Sequence, residues 1–103
     1  MKVFWTKHAL TQLDSIYEFV AQDSPHYARQ LADRLTGRTV QLGQFPYSGR
    51  MVPELAEPTV REVFESSYRL IYIVQKGEIR VLTILHSAMN FPEELELDSE
   101  PSE

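Results

Sequence analysis

Arg69 and His86 are side chains in this sequence whose types could do chemistry, and Arg80 is a further cation near them in the chain. They lie in two consecutive runs rich in β-branched and aromatic residues, YRLIYIV at 68–74 and IRVLTIL at 79–85, with His86 just beyond the second. Lys76-Gly77 between them is a two-residue turn of the kind that closes a hairpin. If Gln75 faces Glu78, then Ile73 faces Arg80, Ile71 faces Leu82 and Arg69 faces Ile84. Successive strand residues alternate between faces. One face then carries Arg69, Ile71, Ile73, Arg80, Leu82, Ile84 and His86. The other carries Tyr68, Leu70, Tyr72, Val74, Ile79, Val81, Thr83 and Leu85. The second face is drier and is expected to receive the helices. The first is an apolar stripe with Arg69 and His86 towards one end and Arg80 towards the other. On a small domain such a stripe is a binding groove or a partner's landing site. Each residue also has a plainer reading, because ion-pair networks imitate functional sites. Arg69 would then be an edge cation paired with Glu62 or Glu65, and His86 a hydrogen-bonded structural histidine.

Other chemistries are excluded by residue type and placement. The chain has no cysteine, which removes disulfides, thiolate zinc sites and thiol nucleophiles and suits a reducing cytosol. His8, His26 and His86 fall on three different elements, so no metal site is expected. No glycine-rich phosphate cradle and no serine–histidine–acid arrangement is present, and no cofactor is expected. Glu54 and Glu57, in a proline-bounded loop, read as solvated.

The elements that must position these residues are legible from periodicity. Residues 3–6, VFWT, open as a short strand, with Trp5 as a packing residue. Thr6 is a good N-cap for a helix carrying apolar residues at Ala9, Leu10, Leu13, Ile16, Tyr17 and Val20. That helix stops near Asp23-Ser24-Pro25, where Ser24 can cap a second helix and Pro25 fits its first position. The second helix is expected from 25 to about 43, with Ala28, Leu31, Ala32, Leu35 and Leu42 facing inward. Gly37 inside it costs up to about 1 kcal/mol relative to alanine and allows a kink. Helices this closely joined form an antiparallel hairpin. Residues 46–59, PYSGRMVPELAEPT, read as a loop, followed by strands at 60–65, 68–74 and 79–85. The expected fold is α+β: an N-terminal strand, then an αα-hairpin packed on a small antiparallel sheet of three or four strands, in the order β-α-α-β-β-β. The first strand is expected beside the C-terminal one.

With 103 residues, this is one domain, read as residues 1–92 followed by an acidic tail at 93–103. The formal charge of −5 hides that division. The tail, EELELDSEPSE, holds six of the fifteen acids and no base, which leaves residues 1–92 at +1. Such a run is most simply a solvated end; the alternative is docking on a basic partner. No apolar stretch reaches membrane-spanning length, and the N-terminus lacks a signal-peptide pattern, so a cytoplasmic protein is expected.

The words GRMVPE at 49–54, VRE at 60–62, YRLIY at 68–72 and ILHSAM at 84–89, on these elements and in this order, resemble the RelE/ParE family of bacterial type II toxins. The resemblance covers roughly residues 3–90 and lies closer to the ParE side. It implies a cognate antitoxin whose linear segment wraps the toxin. It also implies one of two activities: ParE-like poisoning of DNA gyrase, or RelE-like cutting of mRNA on the ribosome. A toxin dimer within a toxin–antitoxin heterotetramer is a further implied assembly. In the family, Gly49-Arg50 would fix the loop against the sheet.

RNA cleavage by the RelE-like route needs a positioned acid and base and convergent cations around the phosphorane. RelE-like members supply these mainly from lysines and arginines. Here Arg69 matches the strand arginine, and Arg61 is offered by the preceding strand with Glu62 beside it. Just after the last strand stands Met89, which can neither hold a charge nor move a proton. The resemblance therefore favours gyrase binding, with Arg61, Arg69, Arg80, His86 and Met89 as contact residues and no catalytic residue expected. The alternative is a minimal ribonuclease site of Arg61, Arg69 and His86, if Arg61 points to the same face. A degenerate member without toxicity is the third reading.

Overall fold

The computed structural model describes residues 1–89 and 91–92. Asn90 and the acidic segment 93–103 lie outside the described residues. The chain forms β1 (Lys2–Trp5), α1 (Lys7–Ala21), α2 (Pro25–Gln44), β2 (Arg50–Met51), β3 (Val60–Glu65), β4 (Tyr68–Gln75) and β5 (Glu78–His86). The strands make one five-stranded sheet in the order β1-β5-β4-β3-β2.

The caps are as the sequence dictates. The Thr6 side chain accepts from the Ala9 N–H at 3.1 Å, and the Ser24 hydroxyl accepts from the Tyr27 N–H at 3.1 Å. Pro25 takes the first turn of α2, where its missing N–H leaves nothing unpaired. Gly37 does not break α2, which runs through it as a single element. The β4–β5 turn needs its glycine, because Gly77 has a φ of 76°.

The expected α+β class and the placement of β1 beside β5 both hold, β1 running parallel to β5 and the other pairs antiparallel. The sheet has five strands rather than three or four. The extra one is β2, two residues inside the stretch read as a loop, paired through Arg50–Glu62 and Met51–Arg61. A two-residue strand is too short to show alternation, so periodicity alone could not reveal it.

The register of the β4–β5 hairpin also departs from expectation. Ile73 faces Arg80 as expected, but Tyr72 faces Val81 while Ile71 faces Thr83. Leu82 is an extra residue on β5, a β-bulge. One inserted residue reverses the faces of everything beyond it. Ile84 therefore packs with Leu70, Tyr72, Val81 and the helices, whereas Leu85 joins Ile71, Ile73 and Leu82 on the opposite face. The sequence reading had these two residues the other way round.

The bulge is held by the start of α1. The Gln12 side-chain oxygen accepts from the Thr83 hydroxyl at 2.6 Å and from the Ile84 N–H at 2.7 Å. Thr6 adds a bond from its N–H to the Val81 carbonyl and one from its hydroxyl to the Leu82 carbonyl.

Two apolar clusters result. The larger lies between the helices and the sheet and includes Leu31, Leu35, Leu42, Leu70, Tyr72 and Val81. The smaller lies on the other face, where Val52, Val60 and Phe91 pack with Ile71, Ile73, Leu82 and Leu85. The apolar middle of the stripe expected to be a groove or landing site is thus buried: Ile71, Ile73 and Leu82, joined by Leu85, are all at most 7% exposed.

Replacing Gln12 with alanine removes the acceptor at the bulge and leaves the Ile84 N–H unpaired. A loss of about 1–2 kcal/mol is expected, read as a lowered midpoint in thermal denaturation.

Candidate functional site

The polar centre of the domain is built on Glu62, whose side chain is fully buried on the face opposite the helices. A carboxylate without water must have its oxygens satisfied by the protein. Two arginines do this. Arg69 Nε donates to Glu62 Oε1 and Arg50 Nε donates to Glu62 Oε2, each at 2.6 Å. The other two nitrogens of Arg69 form a fork onto Glu54, both at 2.9 Å. The fork is the geometry in which a guanidinium binds a carboxylate best. The Arg50 guanidinium lies 5.0 Å from the Phe64 ring centroid, and that of Arg69 lies 5.5 Å from Phe91.

These contacts displace both proton equilibria in the direction of charge. Hydrogen bonds from Arg69 hold the Glu54 carboxyl below its ordinary range. The same bonds, those accepted by Glu54 first and then the one accepted by Glu62, hold Arg69 above its own against the opposing effect of burial.

Tyr72 fixes the other end of the same loop. Its hydroxyl donates to the Pro46 carbonyl at 2.8 Å and accepts from the Gly49 N–H at 3.0 Å. Burial, the largest influence, raises the Tyr72 phenol above its usual range. A Cβ on Gly49 would stand 2.5 Å from the Glu62 carbonyl oxygen and 2.7 Å from the Tyr72 hydroxyl. Only glycine fits there.

The five candidates do not converge. Arg69 is buried and occupied by two carboxylates. Arg61 shares the helix-side face with its cross-strand neighbour Tyr72, donating to the carbonyls of Pro58 and Gly49. Arg80 pairs with Glu78 at 2.6 Å. His86 lies opposite Tyr68 rather than on the face of Arg69, with its ring edge-on to Tyr68 at 5.4 Å between centroids. Its Nδ1 accepts from the Ala88 N–H at 3.1 Å. Met89 is 59% exposed. The shared pocket of Arg61, Arg69 and His86 is therefore not formed; the Leu82 bulge turns His86 away and the strand register turns Arg61 away. Among the described residues, no cluster of three potential metal ligands occurs.

Arg69 pairs with Glu62, as in its plainer reading, but it is not an edge cation: it is buried on β4, the central strand of the sheet. Glu54 does not follow the solvated reading. It is the second carboxylate of the network, and its only sequence signal was its place in GRMVPE. Arg50 was singled out only through its expected role in fixing the loop, which is the role it has.

A family described as "ParE toxin of type II toxin-antitoxin system, parDE" matches residues 3–91. The chain belongs to the ParE toxin family. Among its relatives is "Toxin RelE2" of Caulobacter vibrioides, 35% identical over 88 residues, covering 84% of this chain and 96% of that protein. "Putative toxin Y4kP" of Sinorhizobium fredii is 27% identical over 95 residues, covering 91% and 96%. A solved structure, "Chromosomal ParDE TA system from P. aeruginosa", superposes with a TM-score of 0.69 at 26% identity, covering 84% of this chain and 95% of that one. This ParE-family protein is accordingly a type II toxin, and a cognate antitoxin is its partner.

The ion network predicts an asymmetry between its carboxylates. Glu62→Ala leaves two guanidinium groups without their buried partner and is expected to destabilise by about 3–5 kcal/mol in urea denaturation. Glu54→Ala, at a side chain 40% exposed, is expected to cost about 1 kcal/mol or less. A carboxyl whose pKa is lowered on folding stabilises above its unfolded pKa and ceases to as pH falls through the folded one. Stability should therefore fall with pH below about 4.3, the ordinary glutamate value, and Glu54→Gln should flatten part of that fall.

Proposed function

We propose that this toxin acts by binding DNA gyrase, without bond-breaking chemistry of its own, and that its antitoxin suppresses it by covering the toxin surface. The observation that carries this reading is the separation of Arg69 from His86. Phosphodiester cleavage needs a cation at the phosphorane and a proton-transfer group within hydrogen-bond reach of the reacting oxygens. Here the guanidinium is committed to Glu54 and Glu62 on one face, and the imidazole lies against Tyr68 on the other. The segment after β5 supplies Met89 where a cation would complete such a site.

The same segment is suited to contact. The Ser87 N–H donates to the Ser67 carbonyl at 2.7 Å, and the Met89 N–H to the His86 carbonyl at 2.9 Å. These bonds fix a turn that presents the Met89 side chain outward. A flexible, polarisable side chain on a fixed turn is a good protein-contact residue. In this proposal Met89 and His86 form the contact end, Arg61 and Arg80 supply flanking charge, and Arg69 contributes by holding the loop.

The second reading is ribosome-dependent mRNA cleavage, favoured by the RelE name of the Caulobacter relative. Two assays separate the readings. Purified toxin is expected to inhibit gyrase supercoiling at micromolar concentration, with Met89→Glu weakening inhibition and the fold retained. Toeprinting on ribosome-bound mRNA is expected to show no new ends. Intact supercoiling together with mRNA ends that disappear in His86→Ala would reverse the assignment.

A further inference from the structure

The turn after α2 exposes two aromatic side chains, Phe45 at 65% and Tyr47 at 53%. A shallow apolar concavity lies along it, lined by Gln44, Phe45, Pro46, Tyr47 and Ser48. This turn is tied down from beneath, where the Tyr72 hydroxyl bonds both Pro46 and Gly49. Fixed aromatic groups in water are poor solubility choices and good anchors, since little ordering remains to be done on binding.

Two arginines converge beside it. Arg61 reaches across from β3, its guanidinium 5.0 Å from the Tyr47 ring centroid. Arg38 comes from α2, and its Nε is buried with no hydrogen-bond partner. Arg61 also donates to the carbonyl of Gly49, whose N–H bonds the Tyr72 hydroxyl, α2 packs on β3, and the charges of both arginines favour the ionised form of that hydroxyl. Arg50, Arg69 and Arg80 each have an acid within ion-pair distance; among the described residues, Arg38 and Arg61 have none. A guanidinium with no carboxylate of its own chain beside it can take one from a partner.

We propose that this surface docks an acidic, apolar-anchored segment of the antitoxin. An apolar side chain seats between Phe45 and Tyr47, and a neighbouring carboxylate meets Arg38 and Arg61. The inference rests on the family assignment and adds the place and chemistry of the contact. A peptide fits better than a nucleic acid. The concavity is apolar, only two cations converge on it, and residues 1–92 carry a net +1, too little for a phosphate track.

The test uses the full-length toxin and its cognate antitoxin in titration calorimetry, with thermal melts confirming that each variant is folded. Arg38→Gln and Arg61→Gln are each expected to weaken binding by about tenfold or more, with the difference shrinking as salt rises. Tyr47→Ser, at an exposed position that should not disturb folding, is expected to weaken it also. A photo-crosslinking residue at position 45 is expected to capture an antitoxin peptide with Asp or Glu within two or three residues of the crosslink. Unchanged affinity in folded variants would overturn the proposal. So would a crosslink to the 93–103 segment of a second copy, or to nucleic acid. Wild-type toxin that fails to bind the antitoxin at all would instead overturn the toxin–antitoxin pairing itself, so the two failures are distinguishable.

Discussion

The domain is organised around one carboxylate that has no access to water. Glu62 sits beneath the loop that follows β2, and each of its oxygens is met by a different arginine. Remove it and Arg50 and Arg69 lose the group that orients them. Arg69 in turn holds Glu54, and Glu54 belongs to the loop that carries Val52 over the second apolar cluster. The close approach of Gly49 to Glu62 and Tyr72 is part of the same construction. Buried ion pairs often add little net stability compared with apolar packing, and their best-supported use is to select one arrangement among several. That use fits here, because a proline-rich loop with little regular structure has few other means of choosing a position.

This arrangement limits function as well as shape. An arginine with all three nitrogens bonded to carboxylates is electrically neutralised and sterically enclosed. It cannot also stabilise charge developing on a substrate. A strand arginine that resembles a ribonuclease residue in sequence is, in this protein, a tie between sheet and loop.

Much of the fold was legible in the sequence, since the relevant signals are local and periodic. The α1 stripe, the Thr6 and Ser24 caps, Pro25, and the Lys76-Gly77 turn each have a physical cause that acts within a few residues. The expected placement of β1 beside β5 was correct. What escaped had non-local causes. The bulge at Leu82 is held by bonds that Gln12 accepts and Thr6 donates, from about 70 residues earlier in the chain. It altered the predicted companions of His86 while leaving every element in place. Glu54 looked solvated because its partner lies in another strand. Arg38 carried no signal in the helical pattern, where an arginine on α2 reads simply as outward-facing.

The parallel pairing of β1 with β5 joins Lys2 to Glu78 and Trp5 to Val81. β1 is therefore without a neighbour until β5, at the far end of the described domain, is in place, and the five-stranded sheet closes only when the two meet. Long-range pairings of this kind are slow to form, and their unpaired edges stay exposed meanwhile.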